Sequence, residues 1–333
     1  MKWCHRRLTS KAAFRSVVVM KILVTGSTGL VGKALVAALA KDGHSVCRLV
    51  RPGTNANDDA GGFNVAWNPA TGELGGAAVG ADAVVNLAGA SIADGRWTEK
   101  RKTELRSSRI AVTRTLIEAL GKMNAKPSVL ISASAIGYYG NRGDEMLDEG
   151  SAASEDFLAE IAKEWEAEAL KAEAWRTRVV LARFGIILAR EGGALPKIVT
   201  PFKLGLGGRL GSGKQWMSWI ALEDVVGVLK LCLEQTPIQG AVNFAPISGA
   251  LNVVSMQPVT NAEFTKELAR ALHRPAILPA PPFALRLALG REMADALLLA
   301  SQRVVPKKLV AANYSFQFPA LGPALARILG NAK

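Results

Sequence analysis

Apolar positions along this chain alternate between two spacings. Lys21-Ile22-Leu23-Val24 is a short apolar, β-branched run, the pattern of a buried strand. From Lys33 to Lys41 the apolar residues Leu35, Val36 and Leu39 recur at helical spacing. The exchange then repeats. His44 to Val50 predicts a strand ending at Arg51-Pro52-Gly53, and Asp82 to Gly89 a later one. Thr98 to Leu120 predicts one long helix, Ser128 to Ser132 a strand, Phe157 to Trp175 a helix and Arg178 to Leu188 a strand. Strands separated by helices predict an α/β fold with a doubly wound parallel sheet. Such sheets bind ligands outside the carboxyl ends of their strands.

Past residue 190 the pattern changes. Prolines and the run Gly205-Leu206-Gly207-Gly208-Arg209-Leu210-Gly211-Ser212-Gly213 mark a loop-rich excursion. Ala221 to Glu234 returns to a helix, 246–260 reads as irregular, and Asn261 to Leu272 reads as a helix capped by Thr260 or Asn261. The prolines at 275, 279, 281 and 282 precede helical stretches over 283–300 and 320–329. The expected organisation is a basic extension over 1–19, a main domain over 20–235 and a small C-terminal, substrate-side lobe over 236–333.

The first strand runs into Gly26-Ser27-Thr28-Gly29-Leu30-Val31-Gly32, and a helix follows. That is the context a dinucleotide fingerprint requires. Gly26 permits the tight turn, Gly29 lets backbone approach a pyrophosphate, and Gly32 lets the helix pack close to the strand. Free N–H groups and the helix dipole then favour phosphate. Arg51 ends the second strand, where an acid would bind a ribose 2′-hydroxyl and an arginine accommodates a 2′-phosphate. Asp58 and Asp59 come too late to serve as that acid, so the pattern favours NADP over NAD. Hydroxyls in Ser132-Ala133-Ser134-Ala135-Ile136-Gly137-Tyr138-Tyr139-Gly140 fall at the end of an inner strand, as does Asn86-Leu87-Ala88-Gly89.

Charge and composition narrow the picture. The formal net charge is +13. Lys2, Arg6, Arg7, Lys11 and Arg15 precede Met20 with no opposing acid, which resembles a transit peptide; an upstream start or a loose tail is the simpler reading. No aromatic platform interleaves the basic residues from Arg96 to Arg109 and no nucleic-acid motif accompanies them, so a solvated helix face with one or two residues turned to an anionic ligand is expected there and no nucleic-acid partner. No apolar run reaches the length of a bilayer span, and no membrane partner is expected. Cys4, Cys47 and Cys232 are scattered, as are His5, His44 and His273, so neither a disulfide framework nor a metal site is expected. A cytoplasmic protein fits these features, with organelle import as the alternative. Gly208 to Lys214 matches G-x-x-x-x-G-K, but Gln215 replaces the hydroxyl that would hold magnesium, and no buried strand leads into it.

The glycine turn, Asn86-Leu87-Ala88-Gly89 and the serine-to-Tyr-Gly stretch resemble the extended short-chain dehydrogenase/reductases. Trp67-Asn68-Pro69-x-x-Gly72, Arg96-Trp97-Thr98, Ser108-Arg109, the run from Pro201 to Gly208, Gly213 to Ile220 and Pro258 to Phe264 narrow this to the atypical epimerase-family branch. That branch is NAD-dependent epimerase/dehydratase-like or SulA-like, with a small C-terminal domain of unknown function, here at 277–326. The resemblance implies a Rossmann fold binding NADP. The implied contacts are the turn at 26–32, Val50, Arg51, Leu87, Ala88, Gly89, Glu104 and Arg109.

Three departures stand out. The wider superfamily uses a Tyr-x-x-x-Lys pair, but the residues four after Tyr138, Tyr139 and Tyr314 are Arg142, Gly143 and Phe318. Phe157 stands near the expected tyrosine. Ala221 replaces a common histidine, and 246–257 is longer than the usual link. The expected function is therefore an NADP-dependent epimerase or oxidoreductase on a small polar substrate, a nucleotide sugar being one class. Ser134 would bind the reacting oxygen, and Tyr138 or Tyr139 would exchange the proton, helped by Arg142 or Lys163. The alternative is an NADP-binding regulator with little turnover, related to cell division or the envelope. A homodimer is left open.

Overall fold

The computed structural model describes residues 18–53, 61–235 and 246–330. Most of the basic extension, Cys4, His5, Asp58 and Asp59 thus lie outside the described residues. In chain order the first elements are β1 (Lys21–Thr25), α1 (Leu30–Lys41), β2 (Ser45–Val50), β3 (Phe63–Asn68), β4 (Glu73–Leu74) and β5 (Ala83–Asn86). Next come α2 (Glu99–Ser107), α3 (Ile110–Gly121), β6 (Val129–Ala135), β7 (Met146–Leu147), α4 (Phe157–Leu170), β8 (Arg178–Phe184) and β9 (Ile186–Leu188). Then follow α5 (Leu195–Lys203), β10 (Trp216–Met217), β11 (Trp219–Ala221), α6 (Leu222–Glu234), β12 (Gly249–Val253), β13 (Val259–Thr260) and α7 (Asn261–Leu272). The chain ends with α8 (Pro282–Leu289), α9 (Arg291–Ala294), β14 (Arg303–Val304), α10 (Lys307–Ala311) and α11 (Leu321–Leu329).

Eight strands form the main sheet in the order β12-β8-β6-β5-β1-β2-β3-β4. All its pairs are parallel except β3 with β4. The inner strands are largely apolar on both faces because helices cover both. On one side Leu35, Val36 and Leu39 of α1 and Val225, Val228 and Leu229 of α6 pack on Ile22, Val24 and Val180. On the other, Leu116, Ile117 and Leu120 of α3 pack on Leu23, Val84 and Leu130. The order reverses at β1, which lies between β5 and β2, so a crevice opens at its carboxyl end. The doubly wound, Rossmann-like sheet is as the alternation predicts.

Several boundaries differ from the sequence reading. Residues 246–260 are not irregular: β12 pairs with β8 from Gly249↔Val180 to Val253↔Phe184 and forms the sheet edge. Its register gives no clean alternation, because the fully buried Asn252 sits among apolar residues and is held by tertiary hydrogen bonds. The expected division after residue 235 therefore runs through the sheet. The stretch 98–120 is two helices, since the Ser108 and Arg109 side chains bond back to the Leu105 carbonyl and end the first. The strand 178–188 breaks at Gly185, and β9 leaves the sheet to pair with β11. The stretch 283–300 breaks at Gly290 and ends in a π-helical turn, Asp295–Leu299. β3 has no counterpart in the pattern reading. Thr260 is the N-cap of α7, in a capping box with Glu263.

A second core joins Trp219, Phe202, Phe264, Leu268 and Leu325, bringing α5, α7 and α11 together. Asp224 clamps the chain before α11 to α6. Its carboxylate accepts the Gln317 and Phe318 N–H groups at 2.7 and 2.9 Å and sits beside the Tyr314 hydroxyl. Burial, reinforced by Asp224, pushes the Tyr314 phenol pKa upward. Asp224→Ala leaves two backbone donors without their charged acceptor and is expected to destabilise the fold by roughly 2–4 kcal/mol, measured by urea denaturation.

Candidate functional site

The crevice at the end of β1 is built by close backbone approach. Gly26 adopts φ +63°, and a Cβ there would lie 2.5 Å from the Leu87 carbonyl oxygen. A Cβ at Gly32 would lie 2.2 Å from the Gly26 oxygen. Both positions exclude side chains, as the fingerprint anticipates. Gly29 donates to the Gly26 carbonyl at 3.0 Å and is the N-cap of α1, with no side chain capping it. The first N–H groups of α1 are thus left for a ligand. The buried Ser27 hydroxyl has no hydrogen-bond partner among the described residues. Thr28 is exposed, while Leu30 and Val31 are half-buried. An uncapped helix start beside an unmatched buried hydroxyl fits a phosphate group.

Thr25 fixes the opposing loop. Its hydroxyl donates to Asn86 Oδ1 at 2.7 Å and accepts the N–H groups of Leu87 and Ala88 at 3.0 and 3.2 Å. Asn86 Nδ2 donates to Thr113 Oγ1 and Ser132 Oγ, and Trp165 Nε1 also donates to Thr113. This buried polar chain sets the heights of β1, β5 and β6 where they meet the crevice. Arg109 crosses beside Gly89, donating to the Ala90 and Leu105 carbonyls, with no carboxylate partner among the described residues. Burial, and then the neighbouring Arg101, push its pKa down to about 10, so it stays charged at neutral pH. Arg101 reaches the Ser91 carbonyl and the exposed Glu104. Val50 is half-buried, and Arg51 is exposed at the tip of β2.

The inner-strand hydroxyls are held differently from expectation. Ser134 is buried and donates its proton to Glu166 Oε1 at 2.6 Å. Glu166 in turn receives a two-pronged contact from Arg183, at 2.8 Å on each oxygen. Arg183 also donates to the Tyr139 hydroxyl, which donates to Asn252 at 2.7 Å. Tyr139 is fully buried, and burial raises its pKa despite Arg183. Its phenol is enclosed. Tyr138 is half-buried, its ring face 3.5 Å from the Arg183 guanidinium carbon, and its hydroxyl makes no hydrogen bond to another described residue. Burial opposes the Arg183 charge, but the Glu166 carboxylate outweighs it and holds the guanidinium pKa above its ordinary value.

The cation beside the tyrosines is therefore Arg183, not Arg142 or Lys163. Arg142 turns outward and pairs with Glu145 at 2.7 Å, and Lys163 lies on the exposed face of α4. The sequence carried a signal for the true pair: an arginine, Arg183, inside the apolar run 179–184 and a glutamate beside Trp165 on the buried side of α4. Charged residues in such places are rarely buried unless paired.

Two cavities open on the described surface. One, of about 560 Å³, opens between Gly137, the start of α4 at Phe157 and Leu158, Trp97, and Asp295 and Gln302 from the C-terminal part. Phe157, near the expected tyrosine, brings a ring and no proton. The other, of about 640 Å³, lies against Thr28 and Leu30 of the glycine turn. No group of three or more potential metal ligands occurs among the described residues.

Removing one member of the Glu166–Arg183 pair strands a buried charge. Arg183→Met is expected to destabilise the protein by about 3–5 kcal/mol, and the double variant Glu166→Gln/Arg183→Met by less. Urea denaturation of the three proteins measures both.

Comparisons with known proteins agree with this architecture. The sequence profile of the NAD dependent epimerase/dehydratase family matches residues 22–245, and that of a domain of unknown function, DUF1731, matches 280–328. Epimerase family protein ML0860 of Mycobacterium leprae is 42% identical over 92% of this chain and 94% of its own length. The crystal structure of human epimerase family protein SDR39U1 with NADPH superimposes with a TM-score of 0.81 at 34% identity, covering 94% of this chain and 100% of that one. The nucleoside-diphosphate sugar epimerase from Corynebacterium glutamicum superimposes with a TM-score of 0.71 at 33% identity, covering 94% of this chain and 59% of that one. With the family profile spanning most of the chain and the glycine turn, switch point and inner strand ends all in place, this chain belongs to the NAD dependent epimerase/dehydratase family.

Proposed function

We propose that this chain is an NADP-binding epimerase or oxidoreductase acting on a small polar substrate. The observation that carries it is the glycine-turn cradle: side chains excluded at Gly26 and Gly32, an uncapped α1 and the unmatched Ser27 hydroxyl. In this reading the turn from Gly26 to Gly32 holds the pyrophosphate. Val50 and Arg51 meet the adenosine ribose, with Arg51 on the 2′-phosphate. Leu87, Ala88 and Gly89 form the opposite wall, and Glu104 and Arg109 close it. The human relative crystallised with NADPH supports the NADP form. When bound, the cofactor supplies hydride chemistry at the nicotinamide.

A nucleotide sugar is the substrate class suggested by the name of the Corynebacterium relative, and the cavity beside Gly137 and Phe157 is the place for it. Tyr138 is the proton-exchanging group, because its hydroxyl is not committed elsewhere among the described residues. Ser134 donates its hydroxyl hydrogen bond to Glu166, so toward a substrate it offers a lone pair and accepts from a hydroxyl. Tyr139 holds the wall and exchanges no proton.

One observation favours a second reading, a regulator that binds NADP with little turnover. The Ser134 and Tyr139 hydroxyls are both engaged inside the protein, and the helix that would carry a tyrosine offers Phe157 and Leu158. Incubation with NADPH and a panel of nucleotide sugars and carbonyl compounds separates the two. Turnover supports the enzyme; tight NADPH binding with silence across the panel supports the regulator.

NADPH is expected to bind more tightly than NADH, and Arg51→Ala to remove most of the difference, about 1.5–3 kcal/mol from a charge-assisted contact. Calorimetry checks this, and equal wild-type affinities would overturn the cofactor assignment. With a turned-over substrate, Tyr138→Phe is expected to lower the rate about 10²-fold or more while leaving NADPH affinity unchanged.

A further inference from the structure

Two long stretches of this chain contain no acidic residue. Residues 192–222 carry Lys197, Lys203, Arg209 and Lys214 with no Asp or Glu, and residues 268–291 carry Arg270, Arg274, Arg286 and Arg291 with none. The fold lays the two side by side. Leu278 donates its N–H to the Gly207 carbonyl, Ala280 to that of Arg209, and Gly211 to that of Ala280. Carboxylates from outside the stretches neutralise some of the cations: Asp94 meets Lys197, Glu267 meets Arg270, and Asp295 meets Arg286 and Arg291. Lys203, Arg209, Lys214 and Arg274 are exposed and have no ion-pair partner among the described residues.

Apolar side chains project among these cations. Ile277, Phe283 and Leu287 are 76%, 72% and 77% exposed, and Leu204, Leu206 and Leu278 are exposed on the same two stretches. The helix α8, Pro-Phe-Ala-Leu-Arg-Leu-Ala-Leu, buries none of its residues. Phe283 and Leu287 are four apart and so share one face of it. Its carboxyl end is tied down by Arg96, whose guanidinium donates to the Leu287 and Ala288 carbonyls at 2.7 and 3.1 Å. The helix is thus anchored at its carboxyl end while Phe283 and Leu287 remain in water. Concentrated apolar exposure of this kind marks an interaction surface.

We propose that this face docks on an anionic phospholipid surface, with Phe283, Leu287 and Ile277 entering the acyl boundary and Lys203, Arg209, Lys214 and Arg274 meeting headgroup phosphates. The chemistry selects this occupant. A second copy meeting the same face across a two-fold axis would bring unneutralised cations of one sign together. Nucleic acid would use the cations but not aliphatic leucines and isoleucine, which neither stack nor hydrogen-bond with bases. An anionic bilayer surface uses both. No described helix is long and apolar enough to cross a membrane, and interfacial docking requires none. The proposal goes beyond the cofactor reading and does not depend on it.

Sedimentation of the full chain with vesicles tests it, comparing phosphatidylcholine alone with phosphatidylcholine mixed with phosphatidylglycerol. The protein is expected to bind the mixed vesicles and not the neutral ones, and to be released by salt. Phe283→Ser/Leu287→Ser and Lys203→Glu/Arg274→Glu each lower that binding by about tenfold or more, with thermal midpoint and NADPH affinity unchanged, since all four side chains are exposed. Because the basic residues 1–17 remain in every variant, they cannot produce the difference. Absence of binding to anionic vesicles overturns the proposal, as does binding that both variants retain. A dimer lost in Phe283→Ser/Leu287→Ser, without vesicle binding by the wild type, assigns the face to a second copy and overturns it too.

Discussion

Two opposite charges, Glu166 and Arg183, are buried where α4, β6, β8 and the turn after β6 converge. Placing them there is costly unless every remaining valence is met. The protein meets them with Ser134 on one carboxylate oxygen and the Tyr139 hydroxyl on the guanidinium, and it lays the Tyr138 ring over the cation. Tyr139 then passes the chain of bonds to Asn252 on the edge strand β12, whose amide donates to the Val305 carbonyl. One ion pair thereby ties the inner strands to the sheet edge and to the chain beyond β14. Moving any of these elements would break a buried charge contact, so the strand ends are held rigidly beside the cavity.

A second polar chain holds the strand ends beside the glycine turn. Thr25, Asn86, Thr113, Ser132 and Trp165 link β1, β5, α3, β6 and α4. It lies next to the glycine turn, where backbone meets backbone and leaves no room for side chains. The two networks share α4, through Trp165 in one and Glu166 in the other. Neighbouring residues on one helix thus join the network beside the glycine turn to the one around the buried ion pair.

Beyond β12 the C-terminal part is bound in by the core around Phe264, Leu268 and Leu325, by the short pairing of β14 with β7 and by a few point contacts. Asp224 holds the chain before α11, Arg96 holds α8, and Ser301 bonds to Asn141 and Gly143 in the turn after β6. This leaves α8 supported from behind with its apolar side chains outward, and it places Asp295 and Gln302 on the cavity lined by Phe157. The outer face and the cavity wall are thus built from one continuous segment.

The local pattern of the sequence determined what depends on local geometry. The strand–turn–helix at 21–41, the alternation that makes a doubly wound sheet and the capped helix 261–272 follow from spacing, glycine placement and a hydroxyl at an N-cap, all of which act within a few residues. The glycine turn was legible for the same reason: only residues without side chains fit such close backbone contacts. What the sequence left undecided rests on contacts between distant residues. β12 looked irregular because Asn252 is stabilised by Tyr139, more than a hundred positions away. The helix at 98–120 looked continuous because its break depends on Ser108 and Arg109 folding back on Leu105. The cation beside the tyrosines could not be chosen by nearness in sequence. Arg142, close by, is drawn to Glu145 in solvent, whereas Arg183 on β8 reaches the tyrosines only when parallel pairing sets Ser134 opposite it. Tertiary structure decided these because the desolvation of a charge is settled by its final neighbours, not by its position in the chain.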